Sequence, residues 1–504
     1  MRESLSGLRR DTAPTRLLMN RAIRSQPDTD AASHRYADRR RTFWDEMASR
    51  PQAIAASYYH RRITAVYQQL VPTGLKVLEL GCGEGDLLAA VHPTDGVGVD
   101  FSSVAIEAAR EKHPNLNFIL GDVHVLELND TFDVVIISDL ANDVWDVQRL
   151  LDVVGRVCHP GTRVILNLFN RLWQLPIGVA RAAGFAQPML KQNWLSLADI
   201  RNLLELAGFE VVTTSGEIIW PIRTPIVDVF SNRFLVKLWP FSHLALTHFV
   251  VARPHPRRVG SAITEDAFVS VVVPARNEAG HIREILERTP NMGSRTEIIF
   301  VEGNSTDDTL AVIAEAVEEL NTPDVRYYVQ PGIGKGDAVR WGYQHAKGDV
   351  LMILDADMTV APEDLTRFFE AIADGSGEFI NGVRLVYPME EQAMQFLNYL
   401  GNKIFSWAFT WLLGQPVKDT LCGTKVISRT HYDLMATHRS YFGDFDPFGD
   451  FDLLFGATKS NLKIVDIPIR YRDRRYGSTN IDRWRHGWLL IRMAVFAARK
   501  LRFI

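Results

Sequence analysis

Val77-Leu78-Glu79-Leu80-Gly81-Cys82-Gly83-Glu84-Gly85 reads as a short buried strand that breaks into a glycine cluster, and Asp86-Leu87-Leu88-Ala89-Ala90 behind it reads as the start of a helix. Glycine in that place lets the backbone turn tightly and approach a ligand closely. Much further along, Leu351-Met352-Ile353-Leu354-Asp355-Ala356-Asp357 is another strand-like run, ending in two acids separated by one residue. A glycine cluster opening a helix suits an adenosyl cofactor, whereas paired acids at a strand end suit a divalent ion carrying a diphosphate. The two stretches predict two α/β enzymes joined in one polypeptide.

Working outward from the first stretch, short β-branched runs alternate with helical ones: Gly96–Asp100, Asn117–Leu120, Asp133–Ser138 and Arg163–Asn167. This is the rhythm of a doubly wound parallel sheet. It stops at Arg253-Pro254-His255-Pro256-Arg257-Arg258, whose prolines and arginines read as a linker. The rhythm restarts with Phe268–Val273, Glu297–Val301, Arg326–Val329 and Val350–Leu354. The predicted organisation is a loose basic arm over residues 1–41, a first α/β domain over 42–253, a linker over 254–266, a second α/β domain over 267–482 and a basic amphipathic helix over 483–504. A length of 504 residues matches two domains of ordinary size, each with its own core.

Composition is that of a soluble globular protein, with 46% hydrophobic and 23% charged residues. With 56 basic against 60 acidic side chains, bulk charge points to no nucleic-acid partner. Cys82, Cys158 and Cys422 are scattered and lack metal-ligand spacing, so neither a disulfide framework nor a zinc site follows, and a cytoplasmic setting is expected. The N-terminus carries arginines without an apolar core, and no run of about eighteen uninterrupted apolar residues follows, so neither a secretory signal nor a membrane span is expected.

At the first site Asp86 stands where a pyrophosphate-binding G-x-G-x-x-G pattern would place its third glycine, Asp100 ends the second strand, and Asp122 follows the third. Over about Tyr58 to Arg253 these residues resemble class I S-adenosylmethionine-dependent methyltransferases. The resemblance implies a Rossmann-like fold in which Glu79, Gly81 and Gly83 hold the amino-acid part of S-adenosylmethionine, Asp100 the ribose and Asp122 the adenine. Methyl transfer from a sulfonium is an in-line displacement, for which alignment and desolvation carry much of the catalysis. Ser138–Asp146 follows the fourth strand at the substrate edge of this fold. Asp139, Asn142 and Trp145 are therefore candidates on the acceptor side, with Asn193 and Trp194 closing over them; the same segment also reads as a solvated acidic loop with helix-capping residues.

At the second site three loops leave strand ends: Pro274-Ala275-Arg276-Asn277-Glu278, Glu302-Gly303-Asn304-Ser305 and Gly332-Ile333-Gly334-Lys335-Gly336. Ligands collect at such ends in open α/β sheets. Over about Phe268 to Trp488 the pattern resembles family 2 glycosyltransferases of the A-type nucleotide-sugar fold, nearest to the dolichol-phosphate mannosyltransferase kind. The resemblance implies that Pro274, Arg276, Glu278, Glu302, Lys335 and Arg474 hold the nucleotide-sugar donor. Asp355 and Asp357 would hold Mg²⁺ or Mn²⁺ against its diphosphate, with Asp357 counted among the catalytic groups. Where the family shows Asp-Asp-Gly-Ser, this chain has Glu302-Gly303-Asn304-Ser305, which lacks one carboxylate and leaves the nucleobase open. Lys418–Lys425 and Phe448–Asp452 resemble acceptor-side and catalytic-base segments, making Asp419 and Lys425 acceptor candidates and Asp450 the general-base candidate; Asp450 also reads as a helix N-cap.

The last segment, Arg483 to Ile504, contains no acid. Arg485, Arg492 and Arg499 recur on one helical stripe, and Trp484, Trp488, Ile491 and Val495 on another, which suits a helix lying on an anionic membrane or one covering a core. The expected whole is a bifunctional transferase of the cell envelope. It would move a sugar from a nucleotide-sugar to a glycan or polyprenyl-phosphate-type acceptor and a methyl group from S-adenosylmethionine, in the cytoplasm or on the inner face of the plasma membrane. The alternative makes the N-terminal half a non-catalytic cofactor-sensing or docking module.

Overall fold

The computed structural model describes residues 27–48, 54–183, 189–256, 260–384, 396–437, 449–469 and 483–503. The first domain holds β1 (Lys76–Leu80), β2 (Asp95–Asp100), β3 (Asn117–Leu120), β4 (Phe132–Ser138), β5 (Cys158–Phe169), β6 (Phe209–Glu217) and β7 (Thr247–Pro254) in one sheet, ordered β3-β2-β1-β4-β5-β7-β6. The second holds β8 (Phe268–Ala275), β9 (Arg295–Glu302), β10 (Val325–Val329), β11 (Val350–Ile353), β12 (Phe379–Val383), β13 (Lys425–Ser428) and β14 (Ile464–Pro468), ordered β10-β9-β8-β11-β13-β12-β14.

Strands buried on both faces read as unbroken apolar runs because alternate side chains enter opposite layers. In β8, Val271 and Val273 join one core and Val272 the other. In β1, Leu78 and Leu80 face one core and Val77 the opposite one. Both sheets are mixed. In the first, β7 runs antiparallel to β5 and β6, with Glu217 directly opposite Thr247. The chain between them therefore returns at the same end of the sheet instead of crossing over, which breaks the expected parallel order at that edge. In the second, β13 runs antiparallel to β11 and β12.

The expected loose arm is corrected over its last residues. Pro27–Ala48 is a helix, fixed to the loop after β4 by polar and aromatic contacts that leave no apolar periodicity to read. Arg40 Nε lies 2.9 Å from Asp143 Oδ1, Trp44 Nε1 donates to Asp143 Oδ2 at 2.7 Å, and Tyr36 packs edge-on against Trp145.

The two domains meet across a buried ionic contact. Arg163 of β5 donates to Glu378 Oε2 at 2.6 Å and to the Asn461 carbonyl at 2.8 Å. Arg253, assigned to the end of the first domain, donates to Glu210 and to the Gly375 carbonyl, both at 2.7 Å, and sits 3.4 Å from Glu378. Burial works to raise the Glu378 carboxyl, but Arg163, His431 and Arg253 outweigh it and hold it down at about 2.

The helix Arg483–Leu501 buries Met493 and Ala497 in the same core as Phe409 and Leu412. Val495, expected on the apolar stripe, lies instead on the outer side with Arg492 and Arg499. The tail also ties the halves together. Gln69 donates to the Leu501 carbonyl at 2.9 Å, and Arg233 to that of Phe503 at 3.0 Å. Among the described residues no helix is long and apolar enough to cross a membrane.

Candidate functional site

β1 delivers Gly81, Gly83 and Gly85 in left-handed backbone conformations, with φ of +74°, +51° and +79°. Gly83 faces open space where a side chain would stand. Asp100, at the end of β2, is buried, and its two oxygens accept from the Gly83 and Ser102 amides, each at 2.9 Å. The carboxylate expected to face a ribose thus first shapes the glycine loop, keeping one lone pair on each oxygen for a ligand. Glu79 is buried beside it, and its Oε2 has no hydrogen-bond partner. Burial drives the Glu79 carboxyl well above the usual range. An orphaned acidic oxygen next to an open glycine loop fits a ligand carrying an ammonium group.

Asp122 is half-exposed and accepts from the His124 amide at 2.9 Å, with His124 Nδ1 2.8 Å away. The His124 side chain holds its carboxyl below the ordinary value. The sequence reading missed His124, which adjoins Asp122 and belongs to no recognised spacing.

At the ends of β4 and β5 a polar cluster surrounds Asp139, whose φ is +55°. Tyr59 donates to Asp139 Oδ1 at 2.8 Å, Asn167 donates to the same oxygen at 2.5 Å, and Tyr67 donates to Asn167 at 2.8 Å. Burial raises the Asp139 carboxyl. Tyr59 and Tyr67 come from the helix Ile54–Leu70 and were not foreseen, since a tyrosine in an amphipathic helix reads as core. Asn142 is a correction. It is fully buried, donating to the Asn193 carbonyl at 2.7 Å and accepting from the Phe169 amide at 2.9 Å, so it joins segments of backbone. Trp145 remains exposed under Tyr36.

In the second domain β8 and β9 end side by side. The Gly303 amide donates to the Ala275 carbonyl at 2.9 Å, and a Cβ at Gly303 would lie 3.2 Å from that of Arg276. The two loops thus approach closely at the glycine that stands where an acid was expected. Glu302 is buried and accepts from the Ser305 amide at 2.5 Å. Glu278 is also buried, with His281 Nδ1 3.0 Å from its Oε2. Pro274 is half-buried and Arg276 exposed at the mouth.

Asp355 and Asp357 follow β11. Lys335 Nζ stands 2.6 Å from Asp355 Oδ1, and Thr359 donates to Asp357 Oδ1 from its hydroxyl at 2.7 Å. The segment 418–425 reaches this place through the backbone of Gly423, where any side chain would collide with Asp355 Oδ2 and Lys335 Nζ. Among the described residues no three His, Cys, Asp or Glu gather into a metal cluster. Two carboxylates of which one already faces an ammonium do fit a cation shared with a bound diphosphate.

Two acceptor candidates are corrected. Asp419 is buried and takes the Arg384 guanidinium at 2.7 and 2.9 Å; burial opposes its ionisation, yet Arg384 holds the carboxyl below the ordinary value. Lys425 is buried in β13 and donates to Asn381 at 3.1 Å. Both are committed inside the fold. Asp450 is the first residue of the helix Asp450–Lys459, with Gly449 as its cap, so the N-cap reading fails. Gly449 abuts Gly336, next to Lys335. The Asp450 side chain and all of Arg474 lie outside the described residues.

A family model for glycosyl transferase family 2 matches residues 270–442, and one for a methyltransferase domain matches 72–208. Glycosyltransferase AglJ of Haloferax volcanii is 30% identical over 231 residues, covering 45% of this chain and 70% of that protein. The chain belongs to glycosyltransferase family 2. An undecaprenyl-phosphate 4-deoxy-4-formamido-L-arabinose transferase of Edwardsiella ictaluri is 35% identical over 216 residues, covering 42% of this chain and 62% of that protein. The N-terminal half carries a methyltransferase domain. It is similar to a probable S-adenosylmethionine-dependent methyltransferase of Mycolicibacterium smegmatis, 32% identical over 174 residues, covering 33% of this chain and 65% of that protein. The chain thus spans somewhat under two thirds of the length of these last two relatives.

Proposed function

We propose that the chain is a bifunctional transferase: its family 2 half moves a sugar from a nucleotide-sugar to a polyprenyl-phosphate-type acceptor, and its methyltransferase half moves a methyl group from S-adenosylmethionine. The observation that carries the first part is the Lys335–Asp355 pair at the end of β11, closed in by the backbone of Gly423. In the proposed reaction an acceptor oxygen attacks the anomeric carbon, and the bond from that carbon to the donor's diphosphate oxygen breaks, so the nucleoside diphosphate leaves with the electron pair. Lys335 meets the diphosphate charge, and Glu302 and Arg276 border the nucleotide. A divalent ion, Mg²⁺ or Mn²⁺, held by Asp355 and Asp357 would supply Lewis-acid neutralisation of the leaving group. Asp450 takes the proton of a hydroxyl acceptor, whereas a phosphate acceptor arrives ionised and needs no base.

In the methyltransferase half, Glu79 Oε2 receives the ammonium of the cofactor's amino-acid part, Gly81 and Gly83 let it lie against the backbone, and Asp100 and Asp122 border its ribose and adenine. Asp139, held by Tyr59 and Asn167, faces the methyl acceptor. A polyprenyl phosphate is membrane-borne, so this reading includes peripheral contact with an anionic membrane on its cytoplasmic side and a place in cell-envelope synthesis.

The test is thermal stability against a panel of nucleotide-sugars with and without Mn²⁺, repeated with S-adenosylhomocysteine, because ligands that bind only the folded form raise the midpoint. A metal-dependent rise for one nucleotide and a metal-independent rise for S-adenosylhomocysteine are expected. Absence of both at saturating ligand rejects the proposal. A cofactor-induced rise with no methyl turnover, together with altered sugar transfer, would convert the methyltransferase half into a sensing module.

A further inference from the structure

In the chain between β6 and β7, residues 218–246, the turns over 226–232 fold with their polarity reversed. Across its helical turns Asp228, Ser231 and Asn232 are buried, while Ile226 is 82% and Phe230 59% exposed, and Trp239 further on is 79% exposed. A surface helix in water ordinarily does the opposite. The inversion is built in by hydrogen bonds. The Asn232 side chain accepts from the Ile219 and Trp220 amides, each at 2.8 Å, and donates to the Trp220 carbonyl at 2.7 Å and the Tyr58 hydroxyl at 2.9 Å. Arg62 donates to its carbonyl at 3.0 Å. With its polar side chain saturated inside, the segment presents its apolar groups outward.

The apolar face continues on both sides. The helix Gln174–Ala182 has no buried residue and turns Leu175 and Val179 outward; Trp173, just before it, donates to the Leu244 carbonyl at 2.9 Å. In the other direction Trp411 donates to the Lys237 carbonyl at 2.9 Å, and one turn before it Trp407 is 77% exposed. Contiguous exposure of this extent marks an interaction surface. Charge selects the partner. Residues 170–183, 218–246, 396–413 and 483–504 contain a single acid, Asp228, and it is buried, while Arg223, Arg233, Arg492 and Arg499 are exposed.

We propose that residues 218–246 of the methyltransferase half, flanked by Leu175, Val179 and Trp407, form a monotopic docking surface for an anionic lipid bilayer. Exposed tryptophans, apolar side chains and arginines without exposed acids are the complement of such a surface. Because Glu217 and Thr247 lie opposite each other beside the end of β5, docking sets the Asp139 edge of the methyltransferase half at the bilayer. The inference sharpens the membrane contact proposed above, but its test reads partitioning and no turnover, so the two stand or fall separately.

The full chain is mixed with vesicles of phosphatidylethanolamine and phosphatidylglycerol, or of phosphatidylcholine alone, and separated by flotation. Retention is expected on the anionic vesicles and should weaken with salt. The combined substitution Ile226→Ser, Phe230→Ser and Trp239→Ser should lower the partition coefficient at least about tenfold while the S-adenosylhomocysteine-induced thermal rise persists. Should that variant not fold, hydrogen exchange of the unmodified chain decides: slowing on vesicles within 219–244 supports the docking surface, and no slowing there overturns it. Undiminished retention of a folded variant also overturns it, as does a dimer held by this face with no vesicle retention.

Discussion

The two sites use the same device, a loop leaving a strand end, with opposite electrostatics. In the methyltransferase half the acid that ends β2 is spent on backbone amides, so Asp100 holds Gly83 in place before any ligand arrives. In the glycosyltransferase half the acid that follows β11 is held by a side chain instead, so Asp355 faces the ammonium of Lys335. The first arrangement is a preformed cradle; the second is an ion pair that a bound diphosphate can open. The difference matches the proposed ligands, one carrying an ammonium and a sulfonium, the other a dense anion. Similar topologies can therefore serve ligands of opposite charge by changing what each strand-end acid touches.

The sharpest way to break that comparison is Asp355→Asn. Removing the charge that faces Lys335, and that in the proposed reaction would help hold a divalent ion, is expected to lower sugar transfer on the order of 10³-fold. The S-adenosylhomocysteine-induced thermal rise should be untouched, since Asp355 follows a strand of the second sheet and the glycine loop a strand of the first. A fall of less than about tenfold would mean that the pair is a surface ion pair and the site lies elsewhere.

Asp100→Ala tests the cradle. It removes two charge-assisted hydrogen bonds from the Gly83 and Ser102 amides, each worth about 1.5–3 kcal/mol where no other group replaces it. Affinity for S-adenosylhomocysteine, read by calorimetry, should fall about 100-fold, with donor-nucleotide affinity unchanged. Equal loss at both sites would show that the substitution unfolds the chain rather than opening one loop.

Much of this was legible because each strand end is contiguous in sequence. A β-branched run followed by Gly81, Gly83 and Gly85, or by Asp355 and Asp357, states its own geometry. Side chains whose partners are remote did not. Asp419 and Lys425 are polar residues in an apolar stretch, a pattern shared by sites and by buried polar contacts, and only Arg384 and Asn381 show that they are the latter. Asn142 follows a strand as a ligand residue would, yet its partners are the backbones of Phe169 and Asn193. The outward face of 218–246 escaped for the converse reason, since alternation of apolar and polar residues does not say which side turns inward.

The contact between the halves yields the smallest and most specific effect. Glu378 lies against Arg163 and Arg253 with its folded value at about 2, below an ordinary value of 4.5. A depressed carboxyl contributes stability that is fully present above the unfolded value and is lost as pH falls through the folded one. The window therefore runs from about pH 4.5 down to about pH 2. Between neutrality and about pH 3.5 the linkage amounts to about 1 kcal/mol, or a lowering of the thermal midpoint by roughly 2–4 °C. Other carboxylates titrate in the same range, so the informative quantity is the difference from Glu378→Gln, which has no proton to gain. That variant should begin less stable, because Arg163 loses its buried counter-charge while Arg253 keeps Glu210, and should then lose less on acidification than the parent chain. Parallel acid profiles for the two would mean that the Glu378 ion pair does not couple the halves energetically.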